Sequence, residues 1–436
     1  MSDTPSNLWQ QAWYPVAYLR DLDPQAPQRF VLLGQPLVIW FERGEGIWRV
    51  FADVCPHRLV PLSEGRLSSD GQLECPYHGW QFDGAGHCTL IPQAAADLTP
   101  PARAQCRSYA AREAQGLLFV FSGAAELAEA QPLPVVPLLD EPGWLVQDTF
   151  RDLPYDAITL LENVLDVSHV PFTHHGTVGK RSNAGPVELE LIEQGPEGFT
   201  GIWQEGPRRG KLGTQHTTFI APGLMWHDLT AKGFARILTV VYATPMQPGQ
   251  CRVFARFPFQ FEQKLAARLL KLRPQWLQHI GNHRVLEDDQ IFLHYQERDV
   301  ERQGGSANYS RSCVLPTSSD RYVLALHRWI NRYGGVPFPG QSLPPQETSL
   351  EQLLDRYDSH TRHCRSCSAA LMQIRRFRRL GPALIVMALL VLALSSAALL
   401  QLGLVVVVLL MVLGLRQAAI WERGLTQGER HPPRNA

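Results

Sequence analysis

Cys55-Pro-His57-Arg and Cys75-Pro-Tyr-His78-Gly-Trp are the two stretches of this 436-residue chain that decide how its first part folds. Each stretch supplies one thiol and one imidazole, and in each of them proline follows the cysteine. Sixteen residues separate the stretches, so they belong to two different short loops. Thiolates and imidazoles are ligands for metal ions and for iron–sulfur clusters. The sequence therefore predicts a metal centre held between two loops.

Two thiolates and two imidazoles are the ligand set of a Rieske [2Fe–2S] centre, in which the thiolates bind one iron and the imidazoles bind the other. Because imidazoles are neutral ligands, they raise the potential of the cluster, and their outer nitrogens can titrate with the electron. A tetrahedral zinc site is the alternative. Zinc fingers, however, pair Cys with Cys and His with His. The pattern favours a Rieske cluster bound by Cys55, His57, Cys75 and His78.

The composition is that of a globular protein without an obvious charged partner. Hydrophobic residues make up 45% of the chain, enough to fill the cores of two units, and the formal net charge is zero. Nothing in this balance calls for a nucleic acid partner. Eight cysteines scattered through a long chain favour a reducing compartment over a secreted, disulfide-bonded one. The first residues show neither a signal-peptide core nor a transit-peptide character, so we expect a bacterial protein, cyanobacterial or similar.

The residue pattern changes along the chain and predicts an α+β protein. Residues 8–125 alternate short β-rich runs with Gly- and Pro-containing turns, which predicts an all-β domain that holds the [2Fe–2S] cluster. Residues 145–352 combine helical and strand patterns, which predicts a second, candidate catalytic domain of an antiparallel sheet with helices. A linker with a Cys-x-x-Cys pair over 353–379 and a transmembrane helical hairpin over 380–421 complete the predicted order.

The C-terminal hydrophobic run, residues 380–415, holds no charged side chain over 36 positions, which predicts insertion into a membrane. A single helix of this length would rise about 54 Å, whereas the hydrocarbon core of a bilayer is about 30 Å thick. Two spans that turn near Gln401-Leu-Gly403 fit better than the alternative, one strongly tilted span. Arginines flank both ends, at 375–379 and at 416 and 423. The positive-inside rule then places both ends, and the candidate catalytic part, on the cytoplasmic side.

A second group of candidate metal ligands lies in Glu162-Asn-Val-Leu-Asp166-Val-Ser-His169-Val-Pro171-Phe-Thr-His174. On a helix, Asp166 and His169 are three residues apart and share a face. Pro171 is expected to end this helix, so that His174 returns toward His169 on a turn. Two histidines and a distant carboxylate form the facial triad of a non-haem Fe(II) site, which leaves positions open for O2. The alternative is a pair of hydrogen-bonded core histidines, which would be preferred for this motif without the predicted cluster.

The third ligand of such a triad must come from far along the chain, and the acidic run Glu287-Asp288-Asp289 is the candidate. A predicted helix covers this run, and on it Asp289 shares a face with Leu293 and Gln296. We therefore choose Asp289, while Asp288 stays open. Without the other motifs, these acids would indicate only a solvated helix face.

With both motifs in view, the chain resembles the Rieske non-haem iron oxygenases from about Leu8 to the C-terminus, and within them the pheophorbide a oxygenase branch. Besides the metal motifs, the features similar to that branch are Trp13-Tyr-Pro, Ile91-Pro-Gln93, Asp355-Arg-Tyr-Asp-Ser-His360 before Cys364-x-x-Cys367, and the C-terminal hydrophobic pair. The metal motifs are typical of the superfamily, whereas the late Cys-x-x-Cys and the membrane tail indicate the branch.

The resemblance implies roles for the candidate residues and an assembly. It implies that His169, His174 and Asp289 bind mononuclear Fe(II). Asp166 would bridge a cluster histidine to His169. It also implies a head-to-tail homotrimer, in which each cluster lies beside the iron of the next chain. Because no flavin or nicotinamide fingerprint is visible in the sequence, electrons are expected from a separate ferredoxin-type protein.

The leading hypothesis is a membrane-anchored mono- or dioxygenase that uses O2 to oxidise an apolar tetrapyrrole, such as a chlorophyll-type pigment or its breakdown product. Oxidation of another lipophilic ring compound, such as a terpenoid, is the alternative within the enzymes. An electron-transfer or redox-sensing subunit of a membrane complex is the alternative from another class. Such a carrier would have no use for the histidine pair and the distant carboxylate.

Cys364 and Cys367 carry a separate hypothesis. Two ordinary thiols near a membrane are the simplest interpretation of this pair. A zinc site is not expected, because it needs two further ligands and only His360 and His363 lie close by in the sequence. The functional interpretation is a dithiol switch in an exposed segment, reduced by a thioredoxin-type partner.

Overall fold

The computed structural model describes residues 7–429, except 96, 209, 232–233, 262–267 and 269. The chain divides into two compact units. The first comprises Met1–Arg268 and Phe292–Gln346, and the second comprises Leu269–Ile291 and Glu347–Ala436. The domain boundaries that the sequence predicts stay predictions.

The first unit begins with the all-β region that the sequence predicts. Its strands are β1 Trp13–Tyr18, β2 Gln28–Leu32, β3 Gln35–Glu42, β4 Ile47–Ala52, β5 Arg66–Leu67, β6 Leu73–Glu74, β7 Gln81–Phe82, β8 Cys88–Leu90, β9 Ser108–Tyr109, β10 Ala111–Ala114 and β11 Leu117–Phe121. They pair in sheets of order β1-β11-β10, β2-β3-β4-β9 and β5-β6-β7-β8. Residues 37–40 of β3 are buried on both faces, which explains their unbroken apolar run. One metal loop follows β4, and the other joins β6 to β7.

A single antiparallel sheet forms the centre of the second half of this unit. Its strands are β12 Leu145–Leu153, β13 Glu190–Gly195, β14 Gly198–Trp203, β15 Leu212–Ile220, β16 Leu224–Ala231, β17 Phe234–Gln247 and β18 Gln250–Phe261. Their order, β12-β18-β17-β16-β15-β14-β13, pairs the first strand with the last. Helices that cover this sheet include α1 Ala157–Leu165, which packs on β17 and β18. The α+β architecture is therefore confirmed.

The helices of the chain that follow are α2 Val170–Thr173, α3 Gln275–Arg302, α4 Gly305–Ser312 and α5 Arg321–Trp329, and a π-helical turn, Ile330–Gly334, continues α5. The helix predicted across the acidic run is thus part of α3. A further helix predicted over 264–272 falls mostly outside the described residues.

The predicted helix through Asp166 and His169 is wrong. Helix α1 ends at Leu165, and Asp166 adopts an extended conformation. The Asp166 carboxylate accepts hydrogen bonds from the N–H (2.8 Å) and the hydroxyl (2.6 Å) of Ser168. Such a local side-chain bond competes with helical hydrogen bonding. Pro171 then lies in the first turn of α2, where a missing N–H costs nothing, so it begins a helix and does not end one.

The second unit contains α6 Leu350–Leu353, α7 Arg365–Leu394 and α8 Ala398–Thr426. Helices α7 and α8 are long and apolar enough to cross a membrane, by length and composition. They pack against each other so closely that a Cβ at Gly381 would lie 2.7 Å from a methyl group of Leu415. The two-helix prediction is confirmed, although α7 already begins within the segment predicted as a linker.

The predicted turn near Gln401-Leu-Gly403 is wrong, because the turn lies at residues 395–397. Gln401 is in the first turns of α8, where its amide donates to the carbonyl of Ser395 at 2.7 Å. The Ser395 hydroxyl accepts from the N–H of Ala397 at 3.3 Å. Polar side chains thereby satisfy backbone groups at the helix ends. Gly403 lies inside α8 and does not interrupt it.

Candidate active site

Two loops of matching backbone geometry carry the predicted cluster ligands. The N–H of Cys55 donates to the carbonyl five residues later (2.9 Å), and its carbonyl accepts from the N–H four residues later (2.9 Å). The Cys75 loop repeats both bonds, at 2.8 and 3.1 Å. The fourth residue after each cysteine has a positive φ, 61° for Leu59 and 71° for Gly79. A leucine in this conformation is strained, as is common where a loop presents ligands.

The thiols and imidazoles of these loops fit a Rieske cluster. Cys55 and Cys75 are buried, and burial above all raises the pKa of Cys55 to about 12, so a thiolate pair there needs a bound cation. The rings of His57 and His78 lie 4.6 Å apart between centroids. Both Nδ1 atoms are buried and have no hydrogen-bond partner within the described part of the chain. Buried ring nitrogens without partners are expected of metal ligands, and this donor set suits [2Fe–2S].

Neighbouring side chains contact both histidines, one at its ring and the other at its backbone. The indole of Trp80 stacks on His57, with centroids 4.5 Å apart and planes at 5°. The amide of Gln93 donates to the carbonyl of His78 at 2.8 Å, so the Ile91-Pro-Gln93 loop closes over the second ligand loop. Desolvation, followed by the nearby His57 and Arg58, lowers the pKa of His78. The neutral imidazole that iron binding requires is therefore favoured.

The second motif brings two imidazoles together in the first unit. The Nε2 atoms of His169 and His174 are 3.2 Å apart. The Nδ1–H of His169 donates to the backbone carbonyl of Asp166 at 2.5 Å, which leaves its Nε2 lone pair for a metal. The Asp166 carboxylate lies 3.9 Å from the same Nδ1, so the backbone carbonyl, and not the carboxylate as expected, orients His169.

His227 on β16 is a supporting residue that the sequence did not indicate. Its Nε2–H donates to the carbonyl of Val164, in the last turn of α1, at 3.0 Å. Its Nδ1 accepts from the hydroxyl of Thr217 at 2.8 Å and from the amide of Gln215 at 3.0 Å. Burial lowers the pKa of His227 to about 4, so the ring is neutral near pH 7. It fixes the end of the helix from which the histidine pair emerges.

Glu162 supports the same helix from another direction. Its carboxylate accepts from Gln296 at 2.9 Å, from the hydroxyl of Tyr309 at 2.5 Å and from the imidazole of His327 at 3.2 Å. The rings of Tyr309 and His327 stack with centroids 3.6 Å apart. Burial, followed by the carboxylate, raises the pKa of Tyr309, so its hydroxyl remains a donor. The sequence showed Glu162 beside the motif, but its partners lie more than 130 residues away.

A contact within the second unit reduces the number of candidate iron ligands in the acidic run on α3. Both carboxylate oxygens of Glu287 accept from the guanidinium of Arg356 at 2.6 Å. Glu287 is therefore committed to an ion pair. Asp288 and Asp289 are both buried, with 1% and 5% of their surface exposed, so burial does not choose between them.

Two protein families match parts of this chain. A model of the Rieske [2Fe–2S] domain matches residues 12–110, and a model named pheophorbide a oxygenase matches residues 219–307. The chain is 37% identical over 400 residues to the chloroplastic pheophorbide a oxygenase of Arabidopsis thaliana, covering 83% of this chain and 72% of that protein. The chain belongs to the pheophorbide a oxygenase branch of the Rieske non-haem iron oxygenases.

One further relative and one solved structure are also similar to this chain. Flavonoid 8-hydroxylase 2 of Ocimum basilicum, also chloroplastic, is 32% identical over 425 residues, which cover 89% of this chain and 78% of that protein. The crystal structure of dicamba monooxygenase bound to dicamba superposes with a TM-score of 0.60 and 21% identity, over 75% of this chain and 98% of that one. The latter likeness shows the fold alone. As a Rieske oxygenase, the protein is an oxidoreductase that uses a [2Fe–2S] cluster and a mononuclear iron.

The Cys-x-x-Cys pair of this Rieske oxygenase is not in an exposed segment, so that expectation is wrong. Cys364 and Cys367 are 1% and 0% exposed. Cys364 precedes the first residue of α7, and Cys367 lies in the first turn of that helix. A hydrogen bond from Cys367, together with those from His279 and His360, holds the pKa of Cys364 well below its usual range despite burial. The thioredoxin-regulated switch stays a prediction, and burial restricts a reductant's access to it.

Proposed function

We propose that this Rieske oxygenase is anchored in a membrane and oxidises an apolar, chlorophyll-type tetrapyrrole with O2 and with electrons from a ferredoxin-type donor. The single observation that carries the proposal is the identity shared with pheophorbide a oxygenase over most of both chains. Pheophorbide a is a flat, apolar tetrapyrrole, and an anchored enzyme would meet such a molecule in or at a bilayer.

The proposed ligands follow the two motifs. Cys55, Cys75 and the Nδ1 atoms of His57 and His78 hold the cluster. The support is the burial of these atoms and the lack of hydrogen-bond partners for the two ring nitrogens among the described residues. The mononuclear iron is held by His169, His174 and Asp289, with Asp288 as the competing acid. When bound, the two groups supply electrons and an open coordination position for O2.

The chain's own residues then have distinct tasks in this proposal. The Asp166 carbonyl keeps the proton on Nδ1 of His169, so that Nε2 stays available as a ligand atom. His227 and Glu162 keep the end of α1 in one position. The carboxylate of Asp166 accepts from Ser168 through Oδ1, and its Oδ2 would accept from a cluster histidine of the next chain in a head-to-tail trimer.

Membrane anchoring is proposed from the surface of α7 and α8. Their apolar side chains are exposed along most of both helices, and Leu394 and Leu399 beside the turn are 88% and 87% exposed. At the other end, the guanidinium of Arg375 pairs with Glu422 at 2.9 Å. Arginines at this end favour the cytoplasmic side for it and for the catalytic part. The bacterial origin stays a prediction, since the named relatives are chloroplast proteins.

A second candidate substrate class is favoured by one observation, the similarity to a flavonoid 8-hydroxylase. The test gives the purified full-length protein, in lipid nanodiscs, a reduced plant-type ferredoxin, O2 and either pheophorbide a or a flavone. We expect incorporation of isotopically heavy oxygen into the tetrapyrrole and none with the His169→Ala variant. Oxidation of the flavone alone would replace the proposed substrate.

The electron-carrier hypothesis is tested separately by metal content. About three irons per chain are expected for a two-iron cluster and a mononuclear site, and about two for a carrier. Two irons and no oxygen incorporation with either compound would overturn the proposed function.

A further inference from the structure

Four buried side chains in the second unit converge on one point that the proposed oxygenase chemistry does not use. They are His279, His360, Cys364 and Cys367, and their nitrogen and sulfur atoms all lie within 4.8 Å of one another. His279 comes from α3, His360 and Cys364 come from the segment before α7, and Cys367 lies in the first turn of α7. We propose that these four residues form a structural zinc site at the base of the membrane hairpin.

The distances between the donor atoms match a tetrahedral site. The Nδ1 of His279 lies 3.0 Å from Nε2 of His360, 3.3 Å from Sγ of Cys367 and 3.6 Å from Sγ of Cys364. The Nε2 of His360 lies 3.4 Å from Sγ of Cys367. A tetrahedron with zinc–nitrogen bonds of about 2.05 Å and zinc–sulfur bonds of about 2.3 Å separates its corners by about 3.4 to 3.8 Å. A small expansion of the cluster therefore accommodates the ion.

The donor set and its close spacing together favour a single zinc ion, because all four donor atoms surround one point, whereas a [2Fe–2S] cluster divides its ligands between two irons. Two thiolates and two imidazoles at tetrahedral corners suit Zn2+, and a closed set of four protein ligands is typical of structural sites. Binding removes the thiol protons and holds both sulfurs in metal bonds. The pair is then unavailable for a disulfide while the ion is bound, which separates this site from the dithiol switch.

The position of the site gives the ion a structural task. It links the first half of α3 to the start of α7, the first helix of the hairpin. The end of the second helix is held from the same segment, because Arg356 donates to the carbonyl of Gly424 and Thr361 to that of Leu425, both at 2.6 Å. Both ends of the hairpin are thus held by the same segment, residues 356–367. Without a metal, a buried group of two thiols and two imidazoles contributes little to stability. Bonds to zinc would stabilise the attachment of the hairpin.

The sequence could not indicate this site, because one ligand is remote. Only His360 and His363 stand near the two cysteines, and His363 is exposed. His279 precedes Cys364 by 85 residues. Only the folded chain shows that the fourth ligand is a residue of α3.

The test begins with the full-length protein, purified in detergent from cells supplied with zinc and iron. We expect about one zinc per chain, in addition to the iron. X-ray absorption at the zinc edge is expected to show sulfur neighbours at about 2.3 Å and nitrogen neighbours at about 2.05 Å, in equal numbers. Zinc with only nitrogen and oxygen neighbours would mean occupation of the mononuclear iron site, and it would overturn the proposal, as would the absence of zinc.

Variants then assign the ligands. Cys367→Ser and His279→Ala are expected to lower the zinc content from about one to near zero per chain, while the EPR signal of the reduced Rieske cluster persists. His363→Ala is the matched control, since this exposed histidine adjoins Cys364 and is expected to keep the zinc. Unchanged zinc in both ligand variants, or a Cys364–Cys367 disulfide in the protein as purified without air, would refute the site. Should the variants not fold, the absorption spectrum of the unaltered protein decides. None of these readouts depends on the proposed substrate.

Discussion

His227 is a single buried residue that is expected to make the stability of this oxygenase depend on pH. Its neutral ring donates at Nε2 and accepts at Nδ1, and both bonds need this protonation state. The folded pKa is about 4, whereas an unfolded histidine titrates near about 6.5. Between these values the unfolded chain binds a proton that the folded chain does not, so stability rises with pH. The contribution is fully present above about pH 6.5 and is lost as pH falls toward 4.

His227→Gln is expected to remove this titration. The free energy of unfolding of the unaltered protein should fall more than that of the variant between pH 7 and pH 4, by about 3 kcal/mol at most. The measurement is urea-induced unfolding in detergent at several pH values. His216→Gln changes an exposed histidine on the neighbouring strand β15 and serves as the control. Parallel pH profiles for His227→Gln and the unaltered protein would show that His227 is not the titrating group.

His78→Ala is expected to abolish the Rieske EPR signal of the reduced protein, because it removes one of two imidazoles from the same iron. Cys75→Ser should do the same. His87→Ala, an exposed histidine just before β8, is expected to leave the signal unchanged. A retained signal in His78→Ala would remove His78 from the proposed ligand set.

The segment between α1 and α2 is the element on which the proposed electron path depends. It is neither helix nor sheet, and its shape comes from Asp166, which binds Ser168 through its carboxylate and His169 through its carbonyl. The helical pattern of residues 157–165 predicts α1 correctly. It could not predict where α1 ends, because a local carboxylate–serine bond and a remote histidine, His227, decide that point.

Asp166→Asn is expected to keep both metals but to stop reoxidation of the reduced cluster by O2 and substrate. An amide oxygen can still accept from Ser168, so the turn should persist, whereas the negative charge proposed to bridge to the next chain is lost. Stopped-flow absorbance of the cluster measures the rate.

Ser168→Ala is the matched control for Asp166→Asn. It removes a hydrogen bond worth about 1 kcal/mol and leaves the carboxylate in place, so reoxidation should continue. Loss of iron from Asp166→Asn would mean that Asp166 is itself a ligand.

At the scale of the whole molecule, the proposed head-to-tail trimer predicts complementation between two inactive variants. Cys75→Ser lacks a cluster but keeps the ligands of the mononuclear iron. His169→Ala lacks one of those ligands but keeps the cluster. If electrons pass only between chains, each trimer that contains both variants has an intact cluster beside an intact iron at one of its three interfaces. Because about three quarters of randomly assembled trimers are mixed, about one interface in four is functional in the whole sample. Coexpression should therefore restore about a quarter of the activity per chain.

The control for complementation mixes the two variants after separate purification. These trimers contain one variant each and should stay inactive as long as they do not exchange chains. Absence of activity in the coexpressed sample, with mixed trimers verified by two affinity tags, would contradict transfer between chains.

Short-range patterns of the sequence by themselves determined the family, the α+β architecture, the cluster loops and the pair of apolar helices. Each of these depends on residues within about one loop or one helix of each other, such as Cys75 and His78, and spacing alone specifies them. Only the tertiary structure decided the end of α1, the partners of Glu162, the burial of the Cys-x-x-Cys pair and the approach of His279 to it. These features join residues that are tens of positions apart or more, and their proximity follows from how the chain packs, because local spacing carries no information about distant contacts.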